Sequence, residues 1–171
     1  QTGGQGAVPR QRSRPGAEFR VFFSDGRELD VAMRVWEQRP IHTGDLLTEE
    51  QIERVRTESE LIQAREQALS LLARKEESRF LLRRKLLQRS YSEPAATEAL
   101  DYLQAQGLLD DLRFAREWLR SRLRRRAEGE RVLIARLRER GVSNAVAGRA
   151  LQEIIAEDPD RLVQAAERLV H

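Results

Sequence analysis

The sequence contains no cysteine, which excludes disulfides and thiolate metal sites. Aromatic residues make up only 5%, so no large aromatic core is expected. Of 31 basic residues just two are lysines, Lys75 and Lys85. Histidine is scarce too: His42 falls in a turn and His171 at the last position. Neither stands beside a nucleophile or carboxylate in an arrangement resembling a known catalytic motif. No apolar run approaches the ~20 residues that cross a bilayer, and the first residues hold no apolar signal core. Gly3-Gly4-Gln5-Gly6 lacks the Lys-Ser/Thr pair and the preceding strand of a phosphate loop. These gaps together argue against an enzyme, a cofactor, a metal, a membrane partner or a small-molecule substrate. A cytoplasmic location is expected.

What is present is charge, unevenly spread. Charged residues are 35% of the chain and hydrophobic ones 40%, a composition that suits long helices with solvated faces. Residues 1–60 carry 9 basic and 11 acidic side chains, residues 61–140 carry 19 and 12, and residues 141–171 carry 3 and 5. The excess is nearly all arginine, whose planar fork of donors suits phosphate and carboxylate. GC-rich coding is an equally simple reason for so much arginine.

Residues 1–16, rich in Gly, Gln, Pro and Arg, bury too little to offset ordering and read as a disordered basic arm. Phe19, Val21 and Phe23 alternate with polar positions, as do Leu29 and Val31. Asp25-Gly26 between the two runs predicts a β-hairpin. A short helix is expected over Met33–Gln38, ending before Pro40. Thr48 and Gln51 form a capping box for a helix reaching about Lys75, with a break near Thr57–Ser59. Ser78, Ser92, Asp110 or Asp111, Gly129 and Ser143 then open further helices, and Gly107 and Gly141 stop two of them. Asp158-Pro159 opens a last one.

These segments repeat. At an offset of 51, Ser78 falls on Gly129, Leu82 on Leu133, Leu86 on Leu137, Ser92 on Ser143, Leu100 on Leu151 and Leu103 on Ile154. The fold class is therefore mainly α: tandem three-helix repeats forming an elongated, curved body, after an N-terminal β-hairpin module. The expected divisions are 1–16 (arm), 17–57 (hairpin and helix module), 58–107 (repeat 1), 108–156 (repeat 2) and 157–171 (first helix of an incomplete repeat 3).

The helix from Leu112 to Arg126 carries the strongest binding signal. Arg113, Arg116, Arg120 and Arg124 fall within an arc of roughly 80°, opposite Leu112, Phe114, Ala115, Trp118, Leu119 and Leu123. Glu117 is the one acid between residues 112 and 127. Arg122, Arg125 and Arg126 thicken the positive end, where they also complement the helix dipole. Arg83, Arg84 and Lys85 occupy the second helix of repeat 1 and are expected to extend the same surface. An anionic partner would relieve this density of like charge. Trp118 is assigned to the core, and Asp110-Asp111 to capping rather than metal binding.

GLLDDLRFAREWLRSRL followed by EGERVLIARLRERGV resembles the most recognisable segment of the RecX family of RecA regulators. ALSLLARKEESRFLLRRKLLQRSYSEP resembles that family's first repeat, and FRVFFSDGRELDV and HTGDLLTEEQI its N-terminal part. The resemblance covers roughly residues 18–170. It implies a non-enzymatic protein that binds the RecA filament on DNA, usually to inhibit it. ATP hydrolysis would belong to RecA. Two departures stand out: the third repeat stops at His171 after one helix, and Ser90 replaces a common Gly. A monomer is expected. Direct, non-sequence-specific DNA binding and a helical protein-interaction scaffold remain the alternatives.

Overall fold

A computed structural model describes residues 2–9, 18–125 and 128–157. The helix expected at 157–171 falls, beyond Glu157, outside the described residues. So do Arg126, His171, Ala17 and, of the expected arm, Gln1 and residues 10–16. Seven helices and four strands make up the described residues, and these divide into two compact units. One takes the described residues up to Ser70 together with Leu86–Tyr102, the other Leu71–Lys85 together with the described residues from Leu103 onward.

The first unit holds the strands. β1 (Thr2–Pro9), β2 (Glu18–Phe23), β3 (Glu28–Ala32) and β4 (Leu46–Leu47) form an antiparallel sheet of order β3-β2-β1-β4. The Asp25-Gly26 turn sits where alternation predicts it. Gly26 takes φ 86°, a left-handed conformation open to glycine, and Phe23 and Arg27 close the hairpin through Phe23 N–H to Arg27 O at 2.9 Å. Period-two alternation sends Val21, Phe23, Leu29 and Val31 into one core while Phe22 stays exposed. β1 is a departure, because Thr2–Pro9 lies in the stretch expected to be a disordered arm. It pairs with β2 through main-chain registers Gly4↔Phe23 to Pro9↔Phe19, with an irregularity between Gln5 and Ala7. The free edge of β2 offers backbone partners whatever the apolar content of the added strand.

Helix α1 (Met33–Gln38) packs Val35 into the same core, and Trp36 stacks on Phe19 with ring centroids 4.8 Å apart. Helix α2 (Glu49–Leu72) opens with the expected capping box: Thr48 N–H donates to Gln51 Oε1 at 2.8 Å, and Gln51 N–H to Thr48 Oγ1 at 3.2 Å. Arg27 reaches both Glu49 oxygens at 2.8 Å and Asp25 at 2.7 Å, tying the hairpin turn to the first turn of α2. α2 runs unbroken through Thr57–Ser59, where a break is expected from sequence. Ser59 is buried on the same face as Val55 and Ile52, so the helical ladder is kept.

Two pairs of helices show the repeat start for start. Helices α3 (Arg79–Leu87) and α6 (Glu130–Arg138) begin at Ser78 and Gly129. Helices α4 (Glu93–Ala105) and α7 (Asn144–Glu157) begin at Ser92 and Ser143. The Ser92 hydroxyl accepts Ala95 N–H at 3.4 Å, and that of Ser143 accepts Val146 N–H at 3.3 Å. Leu82, Leu86, Leu100 and Leu103 are buried, and so are their counterparts Leu133, Leu137, Leu151 and Ile154. Full burial of such side chains contributes about 1.5–3 kcal/mol each.

Within the first unit, Ala64, Ala95 and Ala99 make a small cluster with Leu61 and Tyr91. Glu60 accepts from both the N–H and the hydroxyl of Ser92, at 2.6 and 2.8 Å. The second unit has the larger helical core, with Phe114, Ala115 and Leu119 packed among Leu133, Leu137, Val142, Ala147, Ala150, Leu151 and Ile154. Ser78 does double duty there. Its hydroxyl accepts Leu81 N–H at 3.2 Å and donates to the carbonyl of Arg140 at the end of α6. Gly141, at φ 80°, lies against Phe80 so closely that a Cβ would collide with the Phe80 side chain.

Candidate anion-binding site

Helix α5 (Asp111–Arg125) carries the candidate site. Asp110 starts it: one carboxylate oxygen accepts Leu112 N–H at 2.8 Å and Arg113 N–H at 3.1 Å. Asp111 turns elsewhere and accepts Arg79 N–H at 2.8 Å, in the first turn of α3. Both aspartates therefore serve helix ends. Among the described residues no group of three or more His, Asp or Glu is placed to hold a metal ion, and no helix is long and apolar enough to cross a membrane.

The four-arginine stripe lies on one face of α5, as the helical period requires. Three of its guanidiniums are engaged within their own unit. Arg113 donates to Glu76 at 2.7 Å and to the carbonyls of Gly107 and Leu108 at 3.1 and 2.8 Å. Arg116 donates to Glu153 at 2.9 Å. Arg120 grips both oxygens of Glu157, at 2.7 and 3.2 Å. The last two pairs advance by four residues on both α5 and α7, so they form a ladder between helices running the same way. Hydrogen bonds from Arg149 first, and from Arg116, hold the Glu153 carboxyl below its ordinary pKa. Glu157 correspondingly raises that of Arg120. Partly exposed pairs like these add little stability once screened, but they fix where the side chains point.

The remaining candidates divide. Arg124 and Arg125 are exposed and make no ion pair among the described residues. Arg83 is half-buried, Arg84 is exposed, and Lys85 is tied to Glu77 at 2.7 Å.

A cleft of about 360 Å³ opens beside the stripe, about a third of a turn round α5. Phe114, Glu117, Trp118, Ser121, Arg122 and Arg125 line it from α5, and Lys75 and Glu76 from the turn after α2. Phe114 is buried and forms the floor. Trp118 packs partly into the core, as expected from sequence, and the Arg140 guanidinium sits 4.9 Å from its ring centroid. Arg122 is held by Glu128 at 2.6 Å. Lys75 is exposed and, like Arg125, has no ion pair among the described residues. The Ser121 hydroxyl makes no hydrogen bond among them either. Lys75, Glu76 and Ser121 were not legible as site residues. α2 ends at Leu72, so Lys75 and Glu76 follow it in a turn rather than on a helix face, and the one available signal was Ser121, a small side chain on a face of larger ones.

A small antiparallel sheet leading into helices that recur cap for cap defines a tandem three-helix-repeat protein. Residues 64–103 match the profile of RecX, first three-helix domain, and residues 110–151 that of RecX, second three-helix domain. The chain belongs to the RecX family. It is 42% identical over 109 residues to the regulatory protein RecX of Mycobacterium sp. (strain JLS), covering 63% of this chain and 57% of that one. With the regulatory protein RecX of Mycolicibacterium smegmatis (strain ATCC 700084 / mc(2)155) it shares 37% over 121 residues, covering 71% and 62%. The chain thus spans about three-fifths of the length of these relatives. Its fold resembles a crystal structure of regulatory protein RecX, with a TM-score of 0.71 at 20% identity over 99% of this chain and 80% of the other. A RecX structure from Lactobacillus salivarius gives 0.57 at 21% identity, over 64% and 70%.

Proposed function

We propose that this protein binds the RecA–DNA nucleoprotein filament and inhibits it, slowing ATP hydrolysis and strand exchange. Family membership supports a regulatory role, and RecA is the partner that the RecX resemblance implies. The observation that carries the reading is the set of exposed cations, Lys75, Arg124 and Arg125, in a unit where the neighbouring arginines Arg113, Arg116, Arg120 and Arg122 already hold acids. Cations without an internal partner are the ones available to an external anion, whether an acidic protein surface or phosphate. The protein performs no covalent chemistry in this reading. It competes for contacts between filament subunits and with DNA.

The test is RecA ATP hydrolysis and strand exchange with and without the protein at filament-equivalent concentration. Both should fall; unchanged rates would remove the proposal. A salt series on naked duplex and on filament separates the partners. Preference for the filament supports regulation, whereas equal affinities and equal salt slopes mark a plain DNA-binding protein.

A further inference from the structure

We propose that the cleft on α5 receives a single unpaired nucleobase, with the adjoining phosphates held by Lys75 and Arg125. The inference rests on the reading of these same cations as an anion-binding site, and it names the ligand. A cleft of about 360 Å³ is within the size range of small-ligand pockets, and a base is the part of a nucleic acid that needs one. Its floor is Phe114, and Trp118 adds aromatic wall. Aromatic side chains accept any base because every base has a π-face. Ser121 and the exposed Glu117 add a hydroxyl without a hydrogen bond and a carboxylate to the same lining. A carboxylate accepts from an exocyclic amine, and a hydroxyl serves either donor or acceptor.

Other occupants match the lining less well. An acidic side chain entering the cleft meets Glu76 and Glu117. A basic one meets Lys75, Arg122 and Arg125. A purely apolar one strands Ser121 and five charged groups. A nucleotide separates its functions as the cleft does. Its base is neutral, flat and polar at the edge, and its negative charge lies outside, where the exposed Lys75 and Arg125 stand. Bases stacked and paired inside a duplex present no free face, so the ligand is single-stranded or has an extruded base.

The experiment compares two labelled oligonucleotides of equal length and phosphate count, one bearing bases throughout and one abasic, by anisotropy against the full chain. The base-bearing strand should bind about tenfold tighter, in line with one stacked base. Ser121→Leu fills the cleft from a half-exposed helical position and should abolish that preference while leaving abasic affinity unchanged. Lys75→Ala should weaken both strands alike. Equal affinity of the unsubstituted protein for both strands overturns the proposal, as does a preference that survives Ser121→Leu. So does an acidic peptide that displaces the base-bearing strand but not the abasic one. RecA ATP hydrolysis measured in parallel keeps the two readings apart. Slowing without base preference sinks the cleft assignment alone, and base preference without slowing sinks the filament reading alone.

Discussion

Ser90 and Gly141, 51 residues apart, occupy the same left-handed backbone conformation at the ends of α3 and α6, with φ 65° and 80°. Each is followed by an N–H that returns to the last turn: Tyr91 to Leu86 O at 3.2 Å and Val142 to Leu137 O at 3.1 Å. Glycine takes this conformation without a Cβ penalty, and serine does not. Ser90→Gly should therefore raise stability by about 0.5–1 kcal/mol. Gly141→Ala should lower it by about 2 kcal/mol or more, because the collision with Phe80 adds to the backbone cost. Denaturant midpoints of the two variants check both signs. A stabilised Gly141→Ala would contradict the shared motif.

Asp110→Ala removes the acceptor for two N–H groups at the start of α5. The expected loss is about 1 kcal/mol. Asp110→Asn, which keeps an oxygen there, should recover most of it. If Asn and Ala behave alike in thermal or denaturant unfolding, the cap is not what the carboxylate contributes.

Stripe and cleft give opposite signatures. Lys75→Ala and Arg125→Ala should weaken filament binding, each lowering the slope of log affinity against log salt by about one, with stability within ±0.5 kcal/mol. Arg113→Ala should do the reverse: it frees Glu76 and two carbonyls and so costs stability, while the salt slope changes less. Titrations at several salt concentrations, paired with unfolding curves, decide between them. A larger slope change in Arg113→Ala than in Lys75→Ala would return the site to the stripe.

Acid should destabilise the protein at identifiable places. Glu49 is held below its ordinary value of 4.5, chiefly by the Arg27 side chain, and Glu153 below 4.5 by Arg149 and then Arg116. A carboxyl depressed in the folded state binds fewer protons there than in the unfolded chain. Its contribution is thus present above about pH 4.5 and is lost as pH falls through the folded value. Arg27→Ala should flatten the decline below pH 4.5 through Glu49. Asp25 should be less affected, since its largest support is the backbone N–H of Arg27, which alanine keeps. Unfolding midpoints across this range read the effect. A pH profile unchanged in Arg27→Ala would show that Glu49 draws its shift from elsewhere.

Elements whose signals are local were legible in the sequence. Asp25-Gly26, the Thr48–Gln51 box and the caps at Ser92 and Ser143 each act within a few residues, and each sits where its pattern predicts. The core leucines followed from period and repeat together. The site was legible only by halves. Helical geometry put Arg113, Arg116 and Arg120 on one face, but the acids that occupy them, Glu76, Glu153 and Glu157, are 37 residues away in each case. No spacing within α5 announces such partners. For the same reason Lys75 escaped notice: its place beside Arg125 is set by how the turn after α2 meets α5. β1 escaped because a strand can be recruited into a sheet through its main-chain groups alone, which a composition does not display.

Helix ends ordinarily fray one at a time. The Ser78 hydroxyl is at once acceptor for the first turn of α3 and donor to the carbonyl of Arg140, just past the end of α6. Opening either terminus breaks the other's bond as well, so the two should lose protection from hydrogen exchange together. A single hydroxyl thereby couples the start of one helix to the turn that ends another, so these two places are expected to open together rather than in graded fashion.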